Sequence, residues 1–234
     1  VEKVKNWWDP SRKGGTPIGA LSAEFEGKVG SVNKDNKGMA YGKWQMNSQV
    51  GVLDDFLKDS KNPYAKELQQ SGPKDSAGFQ EKWKEIAKRD PQGFEEAQRQ
   101  FITKTNYKPA AEEAAKLGFN LENAGEREAI FSGSVQHGGI KKILQAAASS
   151  NPDFASLSPE QRINAFYNAR EQYVQKNMSA SESQQLVDGR YKKERRKALA
   201  ISGTAVSAVA IPEKQSVAKE EAIDQIVNDS GTSP

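Results

Sequence analysis

Ser22–Gln45 reads SAEFEGKVGSVNKDNKGMAYGKWQ, and the rest of the chain is most simply arranged around it. Upstream, Thr16 suits an N-cap and Pro17 the first position of a helix. Ile18, Leu21 and Phe25 follow at i, i+3 and i+7, which is one helical face. Gly27 then fits the residue after the helix, where glycine enters the left-handed region without steric cost. This reading places Glu26 at the carboxyl end of the helix. The partial negative charge there would oppose a second one and favour a protonated carboxyl group, as a general acid requires. Asp35 stands nine residues on, among Asn33, Lys34, Asn36 and Lys37, in surroundings that favour its ionised form. Two carboxyl groups in opposed environments are the acid-and-base pattern of glycoside cleavage. By themselves the same residues are more simply a helix end followed by a polar hairpin, because Glu, Asp and Gly are common in any surface turn.

Bulk properties narrow the alternatives. Of 234 residues, 35% are hydrophobic and 28% charged, enough for a core if part of the chain stays outside it. The absence of cysteine removes disulfides, thiolate metal sites and cysteine nucleophiles. A single histidine, His137, excludes a multi-histidine metal centre, and no metal or cofactor is expected. The net charge of +3 is too balanced to argue for nucleic acid. No apolar run approaches the roughly 20 residues that span a bilayer, so membrane insertion is not expected. The first twenty residues lack a charged-then-apolar pattern, so no signal peptide is expected either.

Downstream of Gln45 the pattern is helical. Asn47 or Ser48 is a candidate cap for Val50, Leu53, Phe56 and Leu57, and Pro63 starts a helix running to about Gln70. Ser76 caps Phe79, Trp83 and Ile86, Pro91 starts a face of Phe94, Ala97 and Phe101, and Pro109 opens a further helix. Residues 123–138 put the sole histidine on a helix, where a hydrogen-bonded core role is the simpler reading. Ser132-Gly133-Ser134 lacks the Gly-x-Ser-x-Gly elbow of a serine hydrolase. Ser158-Pro159-Glu160 opens a helix carrying Phe166, Tyr167 and Arg170, with Arg170 placed to orient a carboxylate or to cap a core aromatic. Arg190, Lys192, Lys193, Arg195, Arg196 and Lys197 crowd the last helix, a run that is usually a solvated face. The composition then turns small and acid-rich. The expected division is a lead segment at 1–15, a helical domain at 16–202 and a flexible or docking tail at 203–234.

Glu26-Gly27, Lys34-Asp35, Gly38 and a hydroxyl at Tyr41 resemble the active-site run of phage-type lysozymes, although that family has a threonine near the place of Tyr41. The longer pattern, Ser22-Ala23-x-Phe25-Glu26 with Gly38-x-Ala40-Tyr41-Gly42-x-Trp44-Gln45, is similar to cell-wall-degrading domains of phage tail proteins and some secretion effectors, distant relatives of chitosanases in the lysozyme superfamily. Val135-Gln136-His137-Gly138, Phe166-Tyr167-x-x-Arg170 and Arg190-Tyr191-x-x-Glu194-Arg195 add to it. The resemblance implies a mainly α, lysozyme-like α+β fold in which a helical domain and a short β-hairpin or loop flank a cleft. It implies a muramidase acting on bacterial peptidoglycan, within a phage virion or delivered to the periplasm by a secretion apparatus whose other proteins would be its partners. Glu26 and Asp35 would be catalytic, and Tyr41, Gln45, Gln136 and His137 would contact substrate. A non-catalytic glycan-binding module and a lytic transglycosylase are the alternatives.

Overall fold

The computed structural model describes residues 18–35 and 38–203. The expectations for Thr16, Pro17, Asn36, Lys37, the lead segment and nearly all of the tail lie outside these residues. The described chain is mainly helical with one small sheet. Strands β1 (Val32–Asp35), β2 (Gly38–Tyr41) and β3 (Met46–Asn47) lie in the order β1-β2-β3, both pairs antiparallel, with Val32 opposite Tyr41 and Ala40 opposite Asn47.

The first helix departs from expectation. Helix α1 covers only Ala20–Ala23, and its N-cap is Gly19 in the left-handed region at φ 85°. Its free amides find a partner far along the chain: Gly19 N and Leu21 N each donate to the Glu128 carboxylate at 2.8 Å. Glu26 therefore lies three residues beyond the helix in a turn, and the helix-terminus argument for its chemistry does not apply. Nor is Gly27 a left-handed cap; its amide donates to Lys43 O at 2.9 Å and fastens the turn to the sheet.

After the sheet come α2 (Val52–Lys58), α3 (Ala65–Gln70), α4 (Ala77–Arg89) and α5 (Pro91–Ile102). Asn47 and Ser48 do not cap α2, because they are drawn into the sheet and its flank; Gly51 precedes the helix instead. The local start signals of α4 and α5 hold, with Ser76 Oγ accepting from Phe79 N and Asp90 from Gly93 N. A π-helical turn, Thr103–Tyr107, links α5 to α6 (Lys108–Lys116). Pro109 has no amide to offer the carbonyl of Thr105, and the widened turn absorbs that missing bond. Trp83 lies in an aromatic core between Phe94 (4.6 Å, edge-on), Tyr41 (5.2 Å) and Phe56 (5.9 Å).

Helix α7 (Ala124–His137) is the central element. It is followed by α8 (Lys141–Ala148), a 3₁₀ turn at Phe154–Ser156, α9 (Pro159–Asn177) and α10 (Ala180–Leu186), then a second π-helical turn, Val187–Tyr191, and α11 (Lys192–Ile201). Helices α1, α6, α9 and α11 all pack on α7. Gly125 permits the approach of α11, since a Cβ there would fall 2.2 Å from Ala198 O. Almost every side chain from Gly125 to Ser134 is buried, polar ones included, so each polar group needs a partner. Glu126 accepts from the Arg162 guanidinium and from Asn120 N, and Ser132 donates to Glu194.

Glu128→Ala leaves two amides of α1 without their buried acceptor. We expect a loss of about 1–3 kcal/mol in unfolding free energy, measured by urea denaturation, concentrated in the segment that carries Glu26.

Candidate functional site

Glu26 is the outer end of a chain of alternating charges that runs into the core. Its Oε1 accepts from Arg190 Nη2 at 2.6 Å and from Ser22 Oγ at 3.3 Å; the side chains of Glu26 and Arg190 are 11% and 17% exposed. Arg190 Nε donates to Glu194 Oε1 at 2.6 Å. Glu194 is fully buried and also accepts from Ser132 Oγ (2.8 Å), Tyr167 OH (3.4 Å) and Arg170 Nη1 (2.9 Å). Arg170, equally buried, donates through its other nitrogen to Gln136 Oε1 and lies 4.3 Å from the centre of the Tyr191 ring. Burial works against a charge on Glu194, but Arg170 and Arg190 overrule it and hold this carboxyl below its ordinary range.

Local geometry explains why these side chains meet. Ser132 and Gln136 are one turn apart on α7, so they lie on the same face. Arg190 and Glu194 have the same spacing across the start of α11. The π-helical turn at Val187–Tyr191 introduces Arg190 and Tyr191 to the interior, while Lys192 and Lys193, just beyond it, remain exposed.

Asp35 belongs to the sheet. It ends β1, is exposed, and accepts from Asn47 Nδ2 at 2.6 Å. Gln45, half-buried and left-handed at φ 52°, accepts from Asn33 Nδ2 (2.9 Å) and donates to Gly42 O (2.8 Å). A Cβ on Gly27 would come within 3.0 Å of Gln45 Nε2. The segments bearing Glu26 and Asp35 are thus fastened to one turn, Gly42–Gln45, through Gly27 to Lys43 on one side and Asn33 to Gln45 on the other.

Three expected substrate contacts look different in place. Tyr41 is fully buried: it packs on Phe79 and Trp83 and its hydroxyl donates to Asp75 at 3.1 Å, so it belongs to the core and has no surface to offer a sugar. Burial and then Asp75 push its pKa upward. Gln136 is half-buried with its oxygen engaged by Arg170. His137 is half-buried, with Nε2 2.9 Å from Tyr191 OH and its ring edge-on to Tyr173. Burial, then Arg170 and Arg190, push its pKa down to about 4, which leaves the imidazole neutral near pH 7.

Arg190 and Glu194 enter the sequence reading only within the Arg190-Tyr191-x-x-Glu194-Arg195 run, and neither they nor Ser132 and Asp75 are given a chemical role there. The Arg190/Glu194 spacing was a usable signal, hidden within a basic run. Asp75 carried none, because its partners, Tyr41 on β2 and Ser48 and Gln49 just past β3, are distant in sequence. Among the described residues no group of three His, Cys, Asp or Glu is placed to hold a metal ion, and no helix is long and apolar enough to cross a membrane.

The site therefore defines an α-helical domain with a carboxylate on a buried ion chain and a second carboxylate on a small sheet. Residues 18–196 match the family described as type VI secretion system spike protein VgrG3-like, C-terminal, and the chain belongs to that family. It is also similar to the type VI secretion system spike protein VgrG3 of Vibrio cholerae serotype O1, with 33% identity over 144 residues, 55% of this chain. The match spans only 13% of that relative's length. These findings correct the family assignment read from the motifs: the chain groups with VgrG3-like spike C-terminal domains, not with a lysozyme-superfamily hydrolase domain of phage tails. The muramidase function was inferred from that assignment and is withdrawn with it. What is established is membership of the VgrG3-like spike C-terminal family.

The pH dependence of stability reports on His137. Its folded pKa of about 4 lies below the ordinary 6.5, so between these values the unfolded chain binds a proton that the folded chain refuses. This contribution is complete above pH 6.5 and is lost as pH falls towards 4. We expect His137→Gln to flatten that part of the stability profile relative to the parent, measured as urea midpoints across the window.

Proposed function

We propose that this domain is a glycoside hydrolase carried in a type VI secretion spike context. Glu26 donates a proton to the glycosidic oxygen as the bond to the leaving sugar breaks. Arg190, already bonded to its Oε1, stabilises the carboxylate left behind. Asp35 acts from the sheet, either orienting water or facing the positive charge that grows on the sugar ring. Gln45 is the accessible polar group between the two segments and is assigned to sugar binding. Asn47 fixes the Asp35 carboxylate from behind.

The observation that carries this reading is the contrast between the two carboxylates. One is anchored on a buried network that reaches Arg170, the other is exposed on a strand end, and both segments are tied to Gly42–Gln45. Two carboxylates on segments tied to a shared turn supply the pair of groups that glycoside cleavage uses.

As a partner we propose bacterial peptidoglycan, which would place the domain's work in the periplasm. Helix α11 exposes Lys192, Lys193, Arg196 and Lys197, a basic face suited to an anionic polymer. Binding to purified sacculi should weaken steeply with added salt, since exposed charges are screened.

The reaction is tested by release of new reducing ends from a panel of polymers, namely sacculi, chitin oligomers and chitosan. Glu26→Gln should lose at least ~10²-fold in kcat, the usual contribution of a general acid, with little change in melting temperature. Glu24→Gln should stay active, because Glu24 is half-exposed and pairs only at the surface with Lys197. Full turnover in Glu26→Gln would remove Glu26 from the reaction.

A further inference from the structure

Asp75 stands just before α4, at φ 68°, a left-handed conformation that residues other than glycine seldom adopt. Strain of this kind persists only where the surroundings enforce it, and it concentrates at functional sites. Gln45, the other left-handed non-glycine among the described residues, lies in the turn of the candidate site. The Asp75 carboxylate collects three side-chain donors: Tyr41 OH on Oδ1 (3.1 Å), and Ser48 Oγ (2.7 Å) and Gln49 Nε2 (3.1 Å) on Oδ2. A surface loop in a relaxed conformation would meet few of these.

The three donors bracket the segment that holds Asp35. Ser48 Oγ accepts from Met39 N on β2, and Lys74 Nζ donates to Ser48 O at 2.7 Å. Asn47, between the sheet and this clamp, accepts at Oδ1 from Gln49 N (2.7 Å) and donates from Nδ2 to Asp35 (2.6 Å). Across the hairpin, a Cβ on Gly38 would lie 2.5 Å from Gln49 Cγ, so the start of β2 is pressed against the clamped residues. Strand β3 is only two residues long and cannot fix the Asn47 side chain by ladder bonds alone.

We infer that Asp75 is a positioning residue that sets the orientation of the Asp35 carboxylate through Gln49 and Asn47. The inference rests on the hydrolase reading for its catalytic consequence, and on hydrogen bonds alone for its structural one. Asp75 need not touch substrate; its task is to hold a short, exposed strand end in one geometry.

Two variants separate the carboxylate from the backbone strain. Glycine adopts φ 68° freely, so Asp75→Gly removes the acceptors and keeps the backbone conformation accessible. Asn also tolerates the left-handed region, so Asp75→Asn keeps the shape but turns one acceptor into a donor facing donors. It carries the test if the glycine variant fails to fold. The first readout is NMR of the parent and variants: the Asp35 carboxyl carbon and the Asn47 side-chain amide should both shift. The second is steady-state kinetics: kcat should fall at least tenfold while KM changes less than threefold, a split that general loosening of the fold would not produce. Unmoved Asp35 and Asn47 resonances would overturn the inference. So would shifted resonances with unchanged kcat in a protein that Glu26→Gln inactivates. If the parent cleaves no polymer, the hydrolase reading fails by itself, and the resonances still decide whether Asp75 orients Asp35.

Discussion

The fold is built around a carboxylate, Glu194, buried between two guanidinium groups. Desolvating such an ion costs several kcal/mol, and only close, well-directed partners offset it. Glu194 has four of them, Arg170, Arg190, Ser132 and Tyr167, drawn from α7, α9 and the turn before α11. A buried ion pair adds little stability over a well-packed apolar cluster, but removing one partner leaves a charge in the core at a cost of about 3–5 kcal/mol. The arrangement therefore ties α7, α9 and the turn before α11 to one buried carboxylate. Because Arg190 also holds Glu26, the position of a nearly superficial carboxylate is set by the deepest part of the domain.

The opposite wall follows a different logic. A sheet with strands of four, four and two residues cannot stand alone. It is held by side chains from the helices: Gln98 accepts from Lys43 N and donates to Val29 O, Trp83 Nε1 donates to the same carbonyl, and Asp75 gathers Tyr41, Ser48 and Gln49. The sheet is thus an extension of the α4–α5 layer, held by bonds that reach across 26 to 69 residues of sequence.

That difference explains what could be read from the chain. Helix starts marked by a capping side chain, a proline or both, as at Ser76, Pro91 and Ser158, are local events and were legible. Helix α1 was misjudged because its cap, Glu128, is supplied from more than a hundred residues away. Asn47 and Ser48 looked like caps for α2 because nothing local reveals the strand pairing that claims Asn47 or the Asp75 carboxylate that claims Ser48. Helix α7 gave little periodic signal because it is buried nearly all round, and its polar residues answer partners on four other segments. At the site, the Glu26 and Asp35 segments were picked out by residue type and spacing. Tyr41 was misread because a tyrosine in a glycine-rich run can face either side of its strand. Arg190 was lost in a basic run whose other members are mostly exposed; a single widened helical turn separates it from them. The family resemblance overreached for a related reason: short runs of Glu, Asp and Gly describe a kind of turn, whereas membership is carried by the whole 18–196 stretch.

The two supports are joined at Gly42–Gln45. On one side Gly27 N reaches Lys43 O; on the other Asn33 reaches Gln45, and both Gly42 and Gln45 adopt left-handed backbone to make room. Gly42 is the tightest point, since a Cβ there would fall 2.2 Å from Gln98 Oε1, the atom that also accepts from Lys43 N. A displacement of α5 would therefore be transmitted directly to the turn, and through it to the separation of Glu26 and Asp35. Neither carboxylate is fixed by its sequence neighbours alone, although Ser22 lends Glu26 a long bond. Glu26 is held by Arg190 of the turn before α11 and Asp35 by Asn47 of β3, and the Gly42–Gln45 turn joins the segments that carry them.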